Sequence, residues 1–358
     1  SILRSRVVAG VDPLSRQVRL TPNECQPALP SGDSPIHMNP LHRDHATPGR
    51  RSALFVFMEK QIVNPIIHAR HMLEPFWKGP GGSGPVDYDK YLAQIDALKP
   101  EVLSIYPLYA LLLAKHLRRT GQKPPKIAQL IDFSGALAPP SLSKFVGETF
   151  GVRTAQSCGG CEFARYGASC PDDPTRMHLA ESYAYVEVVR SDGSLCAPGE
   201  LGNLIVTSLH SWAMPIIRLE PGDVGRIVEE PCLCGRKSRR LQHGGRIQSL
   251  IKNADGRWVT DAEVWDALLL IGGLELFQLQ QENEQRYQLR VVESPGATLD
   301  RATLTGALSQ LLGESAQVEI TMIAGIPTEA SGKLQLVKSC TFEEFRPVSG
   351  RRERVPVN

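Results

Sequence analysis

Net charge is almost absent from this sequence: 40 lysines and arginines stand against 38 aspartates and glutamates, leaving +2. That balance removes the electrostatic case for nucleic acid or an anionic membrane surface as a partner. Long apolar runs are absent as well. No stretch reaches the ~18 residues that a spanning helix needs, and the longest, AEVWDALLLIGGLELF, is interrupted by acids and by Gly272-Gly273. The opening residues, SILRSRVVAGVDPLSRQVRL, hold no signal-peptide core and no small-residue cleavage site. A cytoplasmic, thiol-reducing setting with no membrane partner is therefore expected. Nothing repeats at a fixed period, which excludes solenoids and propellers. Aromatic residues make up 6% of the chain and give no indication of an aryl pocket.

What remains is ordinary globular composition, 42% hydrophobic and 22% charged, which rules out a disordered or fibrous protein. At 358 residues the chain exceeds what one core usually fills, so two domains are expected. Residues 21–53, rich in Pro, Ser and His, read as a long surface excursion. SALFVFME reads as a short buried strand. Beyond it, strand and helix signals alternate. EVLSIY leads to a helix opened by Pro107, and KIAQLIDFSG leads to one opened by Pro139-Pro140 and stopped at Gly151. Such alternation predicts an α/β sheet with crossover helices. From about residue 181 the texture turns β-rich, through SYAYVEVV, GNLIVTSL and VGRIVEE, and from 246 a small α+β unit follows. The expected domains are 1–245, including a β-rich subdomain at about 181–245, and 246–358.

The eight cysteines are unevenly placed. In a chain of this size, clustering argues for metal or redox chemistry over a disulfide scaffold. Cys232 and Cys234 put two thiolates on one tight turn, PCLCGR, which is half of a tetrahedral zinc site. Two pairs are candidates to complete it. One is Cys170 with His178, on the loop CPDDPTRMH; the other is Cys158 with Cys161, whose C-x-x-C spacing is the better zinc motif taken alone. Unligated core cysteines are the plain alternative. Cys25, Cys196 and Cys340 have no partner pattern and read as ordinary thiols. His37, His42, His45, His68 and His71 form a loose group, and HARH at 68–71 has i,i+3 spacing suited to a helix. Solvated or core-satisfied histidines are the expectation there.

Six segments, taken in order, resemble the adenylate-forming superfamily and within it the phenylacetate-CoA ligase-like branch. KPEVLSIYPLYALLLAKHL is similar to that branch's strand followed by a Pro-opened helix. LIDFSGALAPPSL is similar to its nucleotide-contacting turn, which implies contacts from Ser134, Gly135 and Ala136. SCGGCEFA stands where the family has Tyr-Gly-x-Thr/Ser-Glu, which implies nucleotide-binding places for Gly159, Gly160, Cys161 and Glu162. GELGNLIVTSLHSWAMPIIRLEPGDVGRI matches the strands that lead to a Gly-Asp pair, LQHGGRIQSLIK the interdomain hinge, and PTEASGK the C-terminal lysine loop. Each segment is weak alone; their order, from residue 94 to residue 333, is specific.

The resemblance implies an α/β adenylate-forming fold: a larger N-terminal domain with a β-rich subdomain, and a small mobile α+β C-terminal domain. It also implies roles. Asp223 would accept the ribose hydroxyls of ATP, which an ionised carboxylate does well. Lys333 would be the catalytic lysine, a cation between the substrate carboxylate and the α-phosphate as charge develops. Arg246 would contact ribose or phosphate, and Glu162 would hold magnesium through hard oxygen ligation. Arg218 reads as a structural ion-pair partner as readily as an active-site residue. The branch carries a Cys and a His at the places of Cys170 and His178, which favours them with Cys232 and Cys234 as a structural zinc site. A metal at Cys158 and Cys161 would block the nucleotide turn.

The sequence departs from the pattern at Cys158, where an aromatic ring usually stacks on adenine, at Cys161, where a hydroxyl is usual, and at Gln248-Ser249, where an acid follows the hinge. The family's Ser/Thr/Gly-rich phosphate loop is not found, and KGPGGSGP at 78–85 reads as a flexible loop. Either the N-terminal domain is incomplete here by about 100 residues, or ATP is not used in the usual way. The activity implied is ATP-dependent conversion of a carboxylic acid to an acyl-adenylate, then transfer to coenzyme A, a carrier-protein thiol or an amine. A homodimer is compatible with that reading. The alternatives are a specialised or non-catalytic homologue that keeps fold and zinc, and a zinc-binding interaction module.

Overall fold

The computed structural model describes residues 17–20, 71–73, 76, 81, 83–160, 162, 164–170, 172–212, 215–329 and 333–347. The excursion at 21–53, the strand expected at SALFVFME, and Cys25, Cys161, His37, His42, His45 and His68 lie outside them. The chain divides into two compact units. One comprises residues 1–136, 144–155 and 327–334; the other comprises 137–143, 156–326 and 335–358.

In the first unit, β1 (Gln17–Leu20), β2 (His71–Met72), β3 (Val102–Ile105) and β4 (Leu130–Phe133) pair in parallel in the order β2-β1-β3-β4. His71 thus lies in a strand, which corrects the helical reading of HARH; two residues of parallel pairing with β1 outweigh the i,i+3 spacing. Every residue of β3 and β4 is buried, as expected of parallel strands covered on both faces. Helix α1 (Tyr88–Leu98) starts at Asp87, whose side chain accepts from Lys90 N at 3.0 Å. Helix α2 (Pro107–Thr120) has proline at its first position, where a missing N–H costs nothing, and Gly121 at φ 68° ends it. Its buried residues include Tyr109, Ala110, Leu113 and Ala114 as well as Leu108, Leu111, Leu112 and Leu117, so it is a core helix more than a surface one. Helix α3 (Pro140–Phe150) stops, as predicted, before Gly151 at φ 65°.

The second unit holds the β-rich part. After β5 (Arg153–Gly160) come β6 (Ala164–Ser169), β7 (Met177–Leu179), β8 (Ala184–Val189), β9 (Gly202–Ser208), β10 (Asp223–Val228) and β11 (Arg240–Arg246). They pair antiparallel in the spatial order β5-β6-β7-β11-β10-β9-β8. The β-rich texture therefore begins upstream of Glu181. Tyr166, Met177, Leu179, Val186, Val188, Leu204, Val206 and Leu241 form its core. In the C-terminal stretch, β12 (Ile251–Lys252) and β13 (Trp258–Val259) flank a turn at Asp255-Gly256. Helix α4 (Asp261–Leu268) opens with a reciprocal capping box between Thr260 and Glu263. Strands β14 (Leu274–Gln281) and β15 (Arg286–Glu293), helix α5 (Arg301–Leu312), and strands β16 (Gln317–Met322) and β17 (Val337–Lys338) complete it, with sheet order β16-β15-β14-β17. Among the described residues no helix is long and apolar enough to cross a membrane.

Candidate functional site

Strands β10 and β11 bring two expected site residues together. Asp223 opens β10 directly opposite Arg246, the last residue of β11. Arg246 Nη1 donates to Asp223 Oδ1 at 2.9 Å and to the Pro221 carbonyl at 2.8 Å. Gly222, at φ +78°, makes room for this: a Cβ there would lie 3.2 Å from Arg246 Nη2. The second carboxylate oxygen faces two further groups, the Tyr166 hydroxyl at 3.5 Å and His243 Nε2 at 3.6 Å. Asp223 is buried. Burial pushes its carboxyl pKa up, but His243 and Arg246 outweigh it and the net direction is down. The group is an ionised, pre-oriented acceptor, suited to binding paired hydroxyls.

Reading the sequence missed His243, Tyr166 and Asp261. His243 stands three residues before Arg246, and strict strand alternation would send the two to opposite faces. The register explains why they share a target. Arg246 opposes Asp223, Gly245 opposes Val224 and His243 opposes Gly225, so Gly244 is an extra, bulged residue. The Gly-Gly pair before Arg246 was the available signal. The Gly245 amide then donates to His243 Nδ1 at 3.0 Å. Asp261, in the first turn of α4, packs against Gly245 so closely that a Cβ on the glycine would stand 2.7 Å from its own. Burial pushes the Asp261 carboxyl up to about 7, against the pull of Trp265 and His243.

Other expected residues have simpler surroundings. Gly159 is exposed and Gly160 half-buried at the end of β5, and Glu162 is exposed in the turn after it; Cys161 lies outside the described residues. Cys158 is buried in the core, where a Cβ on Gly167 would come within 2.6 Å of its sulfur. Burial, with Asp223 nearby, pushes its thiol far up. In the first unit, Ser134 N donates to the Ile105 carbonyl at 3.0 Å and its Oγ lies 3.3 Å from Ser104 Oγ. Gly135, at φ +90°, turns the chain past the Tyr106 ring, and half-buried Ala136 follows. Lys333 is half-buried, and its carbonyl accepts from Glu329 N at 2.8 Å. Upstream on the same segment, the Gly81 amide donates to the Thr328 carbonyl at 2.8 Å. Arg218 pairs with Glu187 at 2.7 Å, the structural alternative expected for it.

Cys170, His178, Cys232 and Cys234 converge. Their ligand atoms all lie within 4.8 Å of one another. Cys170 Sγ is 3.4 Å from Cys232 Sγ, and Cys234 Sγ is 3.2 Å from His178 Nε2. A tetrahedron with ~2.3 Å metal–sulfur bonds has edges of about 3.8 Å, so the donor set fits such an ion. The topology supplies this. His178 on β7 pairs with Ala168 on β6 and Arg240 on β11, Cys170 follows β6, and the Cys232 carbonyl accepts from Gly235 N to close the thiol turn. His178 Nδ1 lies 3.0 Å from Ser238 Oγ, an arrangement that turns Nε2 towards the thiols. Burial, with Arg236 and Arg240 nearby, lowers the His178 pKa and keeps the ring neutral. Burial pushes the Cys170 thiol up to about 11, so deprotonation there would follow a cation's arrival. Asp173 ties the intervening loop down through Arg176 at 3.0 Å and Arg240 at 2.9 Å. Cys158 is not among the converging ligands.

No family model matches the chain. A phenylacetate-coenzyme A ligase of Thermus thermophilus is 31% identical over 159 residues, which is 43% of this chain and 35% of that protein. One from Pseudomonas putida is 24% identical over 200 residues, 55% of this chain and 41% of that protein. The chain thus spans well under half the length of the curated relatives it matches. Among solved structures, 2-hydroxyisobutyryl-CoA ligase in its postadenylation state aligns with a TM-score of 0.66 at 20% identity, over 96% of this chain and 69% of that one.

Proposed function

We propose that this chain, which has the fold of the adenylate-forming superfamily, takes part in ATP-dependent activation of a carboxylic acid. The observation that carries the reading is the Asp223–Arg246 pair: two residues drawn from separate family landmarks face each other across β10 and β11. In the first half-reaction a carboxylate oxygen attacks the α-phosphorus of ATP, and pyrophosphate leaves. In the second, a thiol or amine attacks the acyl carbon, and AMP leaves. Asp223 would anchor the ribose and Arg246 would orient the carboxylate and reach ribose or phosphate. Lys333 would stabilise the developing charge at the α-phosphate, and Ser134, Gly135, Ala136, Gly159, Gly160 and Cys161 would line the nucleotide. Glu162 would hold magnesium against the phosphates, its exposed carboxylate being a hard oxygen donor.

The names of the relatives, coenzyme A ligases, support a coenzyme A thiol as acceptor, with a carrier-protein thiol or an amine as the other forms. The domain boundary at Arg246 is kept, with 246–358 as the part that would move between half-reactions. Cys170, His178, Cys232 and Cys234 would hold zinc as a structural ion; three soft thiolates and one imidazole leave no position open for substrate. The burial of Cys158 within the core favours a second reading, a non-catalytic or specialised homologue that keeps the fold and the zinc site but binds a partner or a modified nucleotide. ATP–pyrophosphate exchange with a panel of carboxylic acids, run on the full-length gene product, decides between the two. Exchange with at least one acid is expected; none with any acid overturns the ligase reading.

A further inference from the structure

We infer that His243 is a positioning residue for Asp223, held by the Gly245 amide so that its ring N–H faces the carboxylate oxygen that Arg246 leaves open. The inference rests on the reading of Asp223 as the ribose-binding carboxylate. A backbone amide can only donate, so the 3.0 Å contact from Gly245 N makes His243 Nδ1 an acceptor. In the neutral ring the proton is then on Nε2, which lies 3.6 Å from Asp223 Oδ2. The side chains of His243 and Asp223 are 9% and 11% exposed, so water competes little for this contact.

The local backbone is arranged for it. The extra residue Gly244 shifts the phase of β11, and Gly245 takes φ +104°, a conformation side-chain-bearing residues rarely adopt. Without the bulge, alternation would turn His243 and Arg246 to opposite faces. With it, three donors surround one carboxylate: Arg246 on Oδ1, and Tyr166 and His243 towards Oδ2. Arg246 is 55% exposed and holds Oδ1 from the solvent side, whereas Tyr166 is fully buried. His243 therefore fixes rotation of the carboxyl group from within before a ligand arrives, and the ligand meets an acceptor already aimed.

The test combines ring nitrogen NMR with AMP binding by calorimetry. Wild-type protein at pH 8 should show the Nε2–H tautomer of His243. His243→Ala should weaken AMP binding about five- to thirtyfold, and His243→Gln, which keeps a donor, should recover most of it with an unchanged melting temperature. An Nδ1–H tautomer, or wild-type AMP affinity in His243→Ala, would overturn the inference. If the wild-type protein binds no AMP, the ribose reading has failed, and Asp223→Asn then decides by the ring spectrum alone. Unmoved His243 resonances refute the contact; shifted ones retain it.

Discussion

Asp223 and Arg246 are cross-strand neighbours whose Oδ1 and Nη1 atoms lie 2.9 Å apart, at the end of β10 and β11 where both strands leave the sheet. Arg246 occupies one oxygen of the carboxylate, while Tyr166 and His243 face the other. Replacing Asp223 by Asn removes the charge from every bond it makes. Adenine-nucleotide affinity should fall about ten- to hundredfold, the worth of a hydrogen bond to a charged group. Titration calorimetry on a variant with unchanged metal content makes the measurement, and wild-type affinity would dismiss the ribose assignment.

Lys333 calls for a kinetic distinction. A cation that acts only as charge develops affects the chemical step and spares ground-state binding. Lys333→Ala should lower pyrophosphate exchange about a hundred- to a thousandfold while the Kd for ATP changes little. Equal losses in both would make it an ordinary binding residue.

The four converging ligands predict stoichiometric zinc in purified protein, measurable by mass spectrometry of the metal. Cys232→Ser should release it and lower the melting temperature. Ser238→Ala leaves all four ligands but frees the His178 ring, and should weaken zinc about tenfold or more. Loss of activity in Cys232→Ser with full stability would instead make the centre catalytic.

Asp261 gives a pH dependence with a definite sign. Its folded-state pKa, pushed up to about 7 by burial, lies above the ordinary ~3.9, so folding favours the neutral carboxyl. That contribution is fully present below about pH 4 and disappears as pH rises towards 7. Asp261→Asn should therefore raise the melting temperature relative to wild type more at pH 8 than at pH 5. A constant difference across that range would refute the buried-carboxyl account.

Two glycines separate conformational strain from collision. Gly256 (φ +80°) and Gly273 (φ +76°) both sit in the left-handed region, but a Cβ on Gly256 meets nothing, whereas one on Gly273 would fall 2.2 Å from the Thr298 carbonyl oxygen. Gly256→Ala should cost about 1 kcal/mol, the lower end for left-handed strain. Gly273→Ala must also displace backbone and should cost several times more in a denaturant melt.

Much of this was legible in the sequence. Pro107 and Gly151 punctuate helices through backbone geometry, which is local, and the helix ends appear where they predict. The convergence of Cys170, His178, Cys232 and Cys234 was legible from the two-thiol turn at 232–234 together with the family resemblance at Cys170 and His178. His243 was not found because its role depends on a bulge, a property of paired strands rather than of one segment. The burial of Cys158 was hidden for a related reason: Gly167, which makes room for its sulfur, lies on the neighbouring strand.

Strand β11 has a further consequence. Its first residue, Arg240, is paired with His178, and its last, Arg246, is paired with Asp223. Seven residues thus join the thiol cluster's neighbour to the carboxylate's partner. Sliding the strand by one position would invert every side chain along it, undoing both ends together. An ion held by the cluster would therefore act as a registration pin, setting the phase in which the distant arginine reaches its carboxylate.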